Sequence, residues 1–316
     1  MYKIKKAVYY LCPDSEKDQV SPGVLSITDK LFNVEKIDIE IDGYPVMQYI
    51  TPKGDIIYYV RTNEVICVDY SRYLPVMNKY FGDCDIAGMV NWHGGNKAPD
   101  RVLCIHTTGN VSTGHFGTSS PIYSTNIARS MDRHRRQLRL DDFRVTTEAT
   151  HWSGIVYGGE QEWIEEYPVP LLDIEIGSTL ESWTNLTAAE VIAKSLVEVF
   201  DNDKRYPTVL YVGGIHFEET ITQAVLHSTH PVSLTHILPS RWVEHEGYLD
   251  KAGVKAFDKC VHSIEGGIDA IVFHEKLKRP YRELCILYGE KLGVPAFKRK
   301  ALKSPEKTLI ANLWTV

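Results

Sequence analysis

Between residues 101 and 238 short apolar runs recur, at 101–106, 143–147, 170–176, 208–212 and 232–238, and each runs out into a polar segment carrying His or Glu beside Gly, Thr or Ser. Enough chain separates most of the runs to form a helix. Strands joined by helical crossovers lie parallel or mixed in one sheet, because the crossover carries the chain back to the starting edge. The spacing therefore predicts an open α/β sheet, and polar groups at the ends of its strands are where such a sheet gathers its chemistry.

The preceding part is read as strand-rich with little helical periodicity. Strands are expected at 6–12, 34–41, 55–60 and 65–69, with Asp42-Gly43 and Lys53-Gly54 as turns. The clearest helix covers 188–200, where Ala189, Ile192, Ala193, Leu196, Val197 and Phe200 form one apolar stripe. Thr187 and Glu190 have the spacing of a capping box, with Leu186 and Val191 as its staple. Further helices are expected at 127–140, 218–227, 253–263 and 279–292. The chain is thus divided into a strand-rich N-terminal part over 1–100, a core carrying the polar motifs over 101–240 and a helical C-terminal part over 241–316, expected to form one continuous domain.

A chain of 316 residues, 43% hydrophobic and 24% charged, has enough apolar surface for a full core and is not of the disordered class. The formal net charge of −6 means that a nucleic acid would be held by a local basic patch. The candidate is the 127–140 helix with Arg129, Arg133, Arg135, Arg136 and Arg139. The cysteines lack a CxxC pair, which points to reduced thiols. No apolar run approaches the roughly 20 residues of a membrane span, and the start lacks a signal core, so a cytoplasmic protein without a membrane partner is expected. Oligomeric state is not legible.

The candidate site is built from the motifs. His106-Thr107-Thr108-Gly109-Asn110 leaves a strand for a Gly-rich loop suited to an anion. Glu148 and His151, separated by two residues in a turn, can share a metal or act as orienter and base. Asp173 and Glu175 alternate along a buried strand and point to one face, where a carboxylate must be paired, hydrogen-bonded or metal-bound. Gly213-Gly214-Ile215-His216 precedes a helix, with the two glycines as candidate backbone donors to an oxyanion. His236 ends the last run and reads equally well as a structural histidine. The remaining histidines, His93 among them, have no comparable context.

Taken in order, these motifs resemble the D-aminoacyl-tRNA deacylases of the archaeal and plant type. The resemblance rests on His106 to Asn110, Glu148-Ala149-Thr150-His151-Trp152, Glu175-Ile176-Gly177-Ser178 with Trp183, Gly213 to Phe217 with Thr222, and Thr235-His236-Ile237. It implies a phosphorylase/hydrolase-like α/β fold, a mixed sheet flanked by helices, and zinc-assisted hydrolysis of the ester between a D-amino acid and the tRNA 3′ end, a proofreading reaction. On this reading His106, Glu148, His151, Glu175, His216 and Thr222 are catalytic. Gly109, Asn110, Gly213, Gly214, Arg129, Arg133 and Arg136 bind substrate, and His151, Glu175 and His216 hold the metal. Three departures from the family pattern stand out: Trp152 in place of a second His, Ile215 in place of a Gly, and Glu218-Glu219-Thr220 in place of Ala-Pro-Arg. They keep two other readings open, a diverged relative acting on an aminoacyl ester or amide not on tRNA, and a non-catalytic RNA or nucleotide binder.

Overall fold

The computed structural model describes residues 3–95, 98–307 and 309–314. In chain order the first strands are β1 (Lys6–Leu11), β2 (Glu35–Ile41), β3 (Tyr44–Ile50), β4 (Ile56–Arg61), β5 (Ile86–His93) and β6 (Val102–Thr107). A two-stranded hairpin, β7 (Gly109–Asn110) and β8 (His115–Phe116), follows; then come β9 (Arg144–Thr147) and β10 (Leu171–Gly177). Together β1–β6, β9 and β10 make an eight-stranded mixed sheet in the order β2-β3-β4-β1-β5-β10-β6-β9. A second, four-stranded sheet is parallel throughout: β12 (Ile237–Leu238), β11 (Val209–Val212), β13 (Ala270–Phe273) and β14 (Ala296–Lys298). This is the expected mixed sheet flanked by helices.

The two faces of the large sheet differ. One carries Tyr9, Leu11, Val90, Ile105, Ile174 and Ile176, all buried, and belongs to the same apolar core as the inner residues of the helices α1 (Ser21–Leu31), α3 (Pro121–Gln137) and α5 (Leu186–Val197). Parallel pairing of β10 with β5 sets Glu175 beside Asn91 and Gly177 beside His93, and antiparallel pairing with β6 sets Asp173 beside His106 and Glu175 beside Cys104. Since side chains alternate and laterally paired residues share a face, Asn91, His93, Cys104, His106, Asp173 and Glu175 all emerge on the second face. Its other half is apolar, with Val8, Tyr10, Ala87, Met89 and Leu171 in a core that includes Tyr70, Tyr73, Met77 and Phe81 of the helix α2 (Tyr70–Phe81). The sheet thus seals one half of this face and leaves the polar half for chemistry.

Several expectations are corrected. Residues 65–69 form a turn into α2, not a strand, and the N-terminal part holds two helices, α1 and α2. Pro75 and the β-favouring tyrosines of α2 mask an apolar stripe of Tyr70, Tyr73, Leu74, Met77 and Phe81. β3, β5, β13, β14 and the β7–β8 hairpin go beyond the expected strands, and the run at 232–238 is a strand only at Ile237–Leu238. The cap of α5 is Asn185, whose side chain accepts from the Ala188 N–H, while Glu190 pairs with Lys194 instead of closing a box with Thr187. The remaining helices are α4 (Leu180–Trp183), α6 (Glu219–Leu226), α7 (Ser240–Val243), α8 (Lys251–His262) and α9 (Arg279–Leu292). Among the described residues no helix is long and apolar enough to cross a membrane.

Candidate active site

The loop after β9 is pinned from both sheets. Glu148 N–H donates to Ile105 O, Ala149 N–H to His216 O and Thr150 N–H to Ile237 O, and His151 O accepts from Gly109 N–H. These bonds hold a buried Glu148 and a half-buried His151 over the polar half of the large sheet. The His151 ring stacks on His106 with centroids 3.8 Å apart and lies 4.9 Å from His216. His216 Nε2 lies 2.8 Å from Glu148 Oε2, and His93 Nε2 approaches the same oxygen at 3.6 Å. Sequence reasoning passed over His93, although it ends an apolar run and precedes Gly94-Gly95 as the other site histidines end theirs.

Hydrogen-bond partners fix the tautomers. A carbonyl only accepts, so His106 Nδ1, 3.0 Å from Thr107 O, and His151 Nδ1, 2.8 Å from Ala149 O, both carry protons. Ser178 Oγ donates to Pro99 O and so accepts from His93 Nδ1 at 2.7 Å. All three rings are left with an Nε2 lone pair. His106 Nε2 has no partner among the described residues and lies 3.8 Å from Asp173 Oδ2. Glu148 Oε1 and Glu175 Oε2 are likewise buried and unpartnered. Lone pairs of imidazoles facing carboxylate oxygens are mutually repulsive unless a proton or a metal ion lies between them.

Titration follows the same crowding. Burial pushes Glu175 well above the usual carboxylate range, helped by Asp173, Glu148 and Asp18, and pushes Asp173 up to about 7 against the bond from Asn91. Burial also acts on Glu148, but the His216 bond and the neighbouring His106, His151 and His93 outweigh it and hold that carboxyl well below its ordinary value. Burial lowers His106 strongly, and His151 and His93 also fall.

A metal fits this arrangement. Ligand atoms within 4.8 Å of one another are offered by His93, Cys104, Glu148 and Glu175, by His106, Glu148 and His151, and by His106, Asp173 and Glu175. Nitrogen, thiolate and carboxylate donors, with the other imidazole nitrogen tied to a carbonyl or hydroxyl, are the donor set and second sphere zinc takes. The expected trio of His151, Glu175 and His216 is regrouped. His216 joins none of these sets, and its Nε2 is engaged with Glu148.

Other expected residues fall differently. Thr222 is buried, and its hydroxyl accepts from Thr147 N–H and bonds Thr147 Oγ1, which ties α6 to β9. Gly213 N–H donates to Leu238 O and Gly214 N–H to Ser240 Oγ, so neither is offered to an oxyanion. The glycines serve the backbone instead: both have positive φ, +101° and +81°, and a Cβ on Gly213 would lie 2.8 Å from His274 Cβ. Gly109 N–H is likewise taken by His151 O, while Asn110 lines the cleft. On α3, Arg129 bonds the carbonyls of Val225 and His227, Arg133 pairs with Glu198 and Arg136 with Asp132. Among the described residues these arginines line a separate cavity that shares no residue with the cleft at His151. His236 bonds Thr107 and Ser263 and is fully buried.

The cleft has two lobes. One, of about 470 Å³, reaches Asn91, His93, Glu175, Cys67 and Tyr157. The other, of about 430 Å³, reaches Asn110, Val111, Ile155, Arg241 and Trp242. They meet at His151, Ser153, Val156 and His216, which line both. Of the departures from the family pattern, Trp152 is buried edge-on against Tyr70 at 5.1 Å, Ile215 is 68% exposed beside His216, and Glu218 is buried against Arg299.

Comparison with known proteins identifies the family and the fold. The chain is 26% identical over 287 residues to a D-aminoacyl-tRNA deacylase of Pyrococcus abyssi, covering 89% of this chain and 96% of that protein. It is 25% identical over 282 residues to one of Thermococcus onnurineus, covering 85% and 93%. A crystal structure of a conserved protein of unknown function superposes with a TM-score of 0.74 at 22% identity, covering 96% of this chain and 98% of the other, which supports the fold. The family model described as D-aminoacyl-tRNA deacylase matches residues 80–297, the span that holds His93, His106, Glu148, His151, Glu175 and His216. The chain belongs to the D-aminoacyl-tRNA deacylase family.

Proposed function

We propose that this protein is a hydrolase that cleaves the ester between a D-amino acid and the 3′ end of tRNA. The observation that carries the reading is the Glu148–His216 pair, 2.8 Å apart at the junction of a two-lobed cleft, in a chain of this family. In this reading Glu148, held as a carboxylate by the hydrogen bond from His216, accepts the proton of the attacking water. His216 holds its ring proton toward Glu148 and is placed to pass a proton to the leaving ribose oxygen. His93, Cys104 and Glu175, or His106, Asp173 and Glu175, would hold the metal and leave Glu148 to its proton, with His151 stacked on His106 as a further donor. When bound there, zinc would supply Lewis acidity toward the ester carbonyl and lower the pKa of water.

Glu218 does not speak against an RNA substrate, since Arg299 neutralises it inside the protein. The reaction is a proofreading step and belongs where tRNA is charged, in the cytoplasm. The test is deacylation of D-Tyr-tRNA by the purified protein, by the protein stripped with a chelator, and by the stripped protein after zinc is returned. Activity that is lost and then restored supports the reading. Full activity in the stripped protein removes the metal from it, and no activity in any arm removes the reaction.

A further inference from the structure

We propose that the Asn110–Trp242 lobe is the subsite for the substrate's terminal nucleotide, a nucleoside 5′-phosphate, with its base on the Trp242 indole and its phosphate on Arg241. The proposal rests on the hydrolase reading above and adds to it the orientation of the substrate in the cleft. An aminoacyl ester has an acyl group on one side of the scissile bond and a nucleoside on the other. The cleft has a matching division, with two lobes meeting at His151 and His216.

Charge decides which lobe takes which half. The Asn91–Tyr157 lobe is floored by Glu175, with Glu148, Asp173 and Asp18 close behind. A phosphate there would face carboxylates. Among the described residues the Asn110–Trp242 lobe has no acidic residue in its lining and one guanidinium, that of Arg241. Arg241 is exposed, and no carboxylate among the described residues lies within 4.0 Å of it, whereas Arg129, Arg133 and Arg136 are each engaged within the protein. An unpaired guanidinium at the edge of an acid-free lobe is suited to a phosphate.

Trp242 supplies the platform. It is half-buried, packs against two apolar cores, and stands edge-on to His216 with ring centroids 6.2 Å apart. Its indole is therefore fixed beside the reacting groups, at the range expected between a base and the ester on its own ribose. Stacking on an aromatic side chain is tolerant of base identity and contributes about 1–3 kcal/mol per base, on the order of ten- to a hundredfold in affinity. Asn110, whose side-chain oxygen accepts from Ser112, leaves its amide N–H groups for the base edge.

The test is equilibrium titration of the zinc-loaded protein with AMP and with adenosine, in the wild type and in Arg241→Ala, Trp242→Ala and Trp242→Phe. Wild type is expected to bind AMP about tenfold more tightly than adenosine. Arg241→Ala should remove that advantage, Trp242→Ala should weaken both ligands about tenfold or more, and Trp242→Phe should recover most of the loss. KM for D-Tyr-tRNA should rise in Trp242→Ala more than kcat falls. Failure of the wild type to bind AMP, or equal AMP affinity in wild type and Arg241→Ala, overturns the assignment. Hydrolysis of D-Tyr-tRNA with an unaltered KM in Trp242→Ala overturns the subsite and leaves the hydrolase reading standing. AMP binding that follows the expected pattern, without hydrolysis, upholds the subsite and removes the hydrolase reading.

Discussion

Glu148 Oε2 receives His216 Nε2 at 2.8 Å while its other oxygen, Oε1, is buried with no partner. One half of the carboxylate is thus held by a proton carrier and the other is left for the reaction. Replacing Glu148 with Gln keeps the shape and removes the base, and kcat for D-Tyr-tRNA should fall about 10²- to 10⁴-fold with little change in KM. His216→Asn should cost a similar factor. Because the two act as a unit, single-turnover rates of the double variant should lie close to the worse single variant, not at the product of the two losses.

Metal removal should register in stability as well as in turnover. Glu148, Glu175 and Asp173 crowd one buried volume with Asp18 near, and a bound cation relieves their repulsion. Chelation should lower the thermal midpoint, and zinc should restore it in a concentration-dependent way. His93→Ala should reduce the zinc bound per chain measured by elemental analysis. Equal midpoints with and without zinc would contradict a metal in this cluster.

Glu218 and Arg299 tie the loop that carries His216 to the short 3₁₀ helix at Arg299–Lys303, with Nη1 and Oε1 3.1 Å apart and the carboxylate 7% exposed. Arg299→Met leaves a buried acid without its cation and should cost about 3 kcal/mol in denaturant unfolding. The double variant Glu218→Gln with Arg299→Met should recover a large part of that loss. A loss that is the same in single and double variants would show that the pair is not coupled.

Acid sensitivity should trace partly to His236. Burial holds its ring neutral in the folded protein down to about 3, while the unfolded chain takes up the proton near 6.5. Between those values the unfolded state binds more protons, so stability falls as pH falls, by at most about 1.4 kcal/mol per pH unit from this group. Above about pH 6.5 it has no effect. His236→Gln should therefore be less stable than the wild type at pH 7.5, through lost bonds to Thr107 and Ser263, yet lose less stability between pH 6.5 and 5. Parallel stability curves for the two proteins over that range would contradict it.

How much of this was legible in the sequence depends on what each residue leans on. Glu175 announces itself by breaking an apolar run with a carboxylate that burial makes costly, and Glu148, His151 and His216 by standing in the polar segments into which such runs lead. His93 does the same at the end of β5, but β5 begins at Ile86, behind an unanticipated helix, so its strand was not separated from its surroundings. Cys104 and Asn91 became visible only through strand register, which pairs both with Glu175 across different neighbours. Roles that depend on where an N–H goes were not legible at all. Gly213 and Gly214 look like ligand donors until their bonds to Leu238 and Ser240 are seen, and Arg129 and Arg133 of α3 look free until their partners elsewhere in the fold are in place.

The measurement that bears most directly on the central claim is the initial rate of deacylation of D-Tyr-tRNA and L-Tyr-tRNA, at equal concentration, by the zinc-loaded protein. The account predicts that the D-ester is cleaved, that the L-ester is spared, and that Glu148→Gln abolishes the difference by abolishing the D-reaction. Equal cleavage of the two esters, or a D-rate that survives Glu148→Gln, would contradict it.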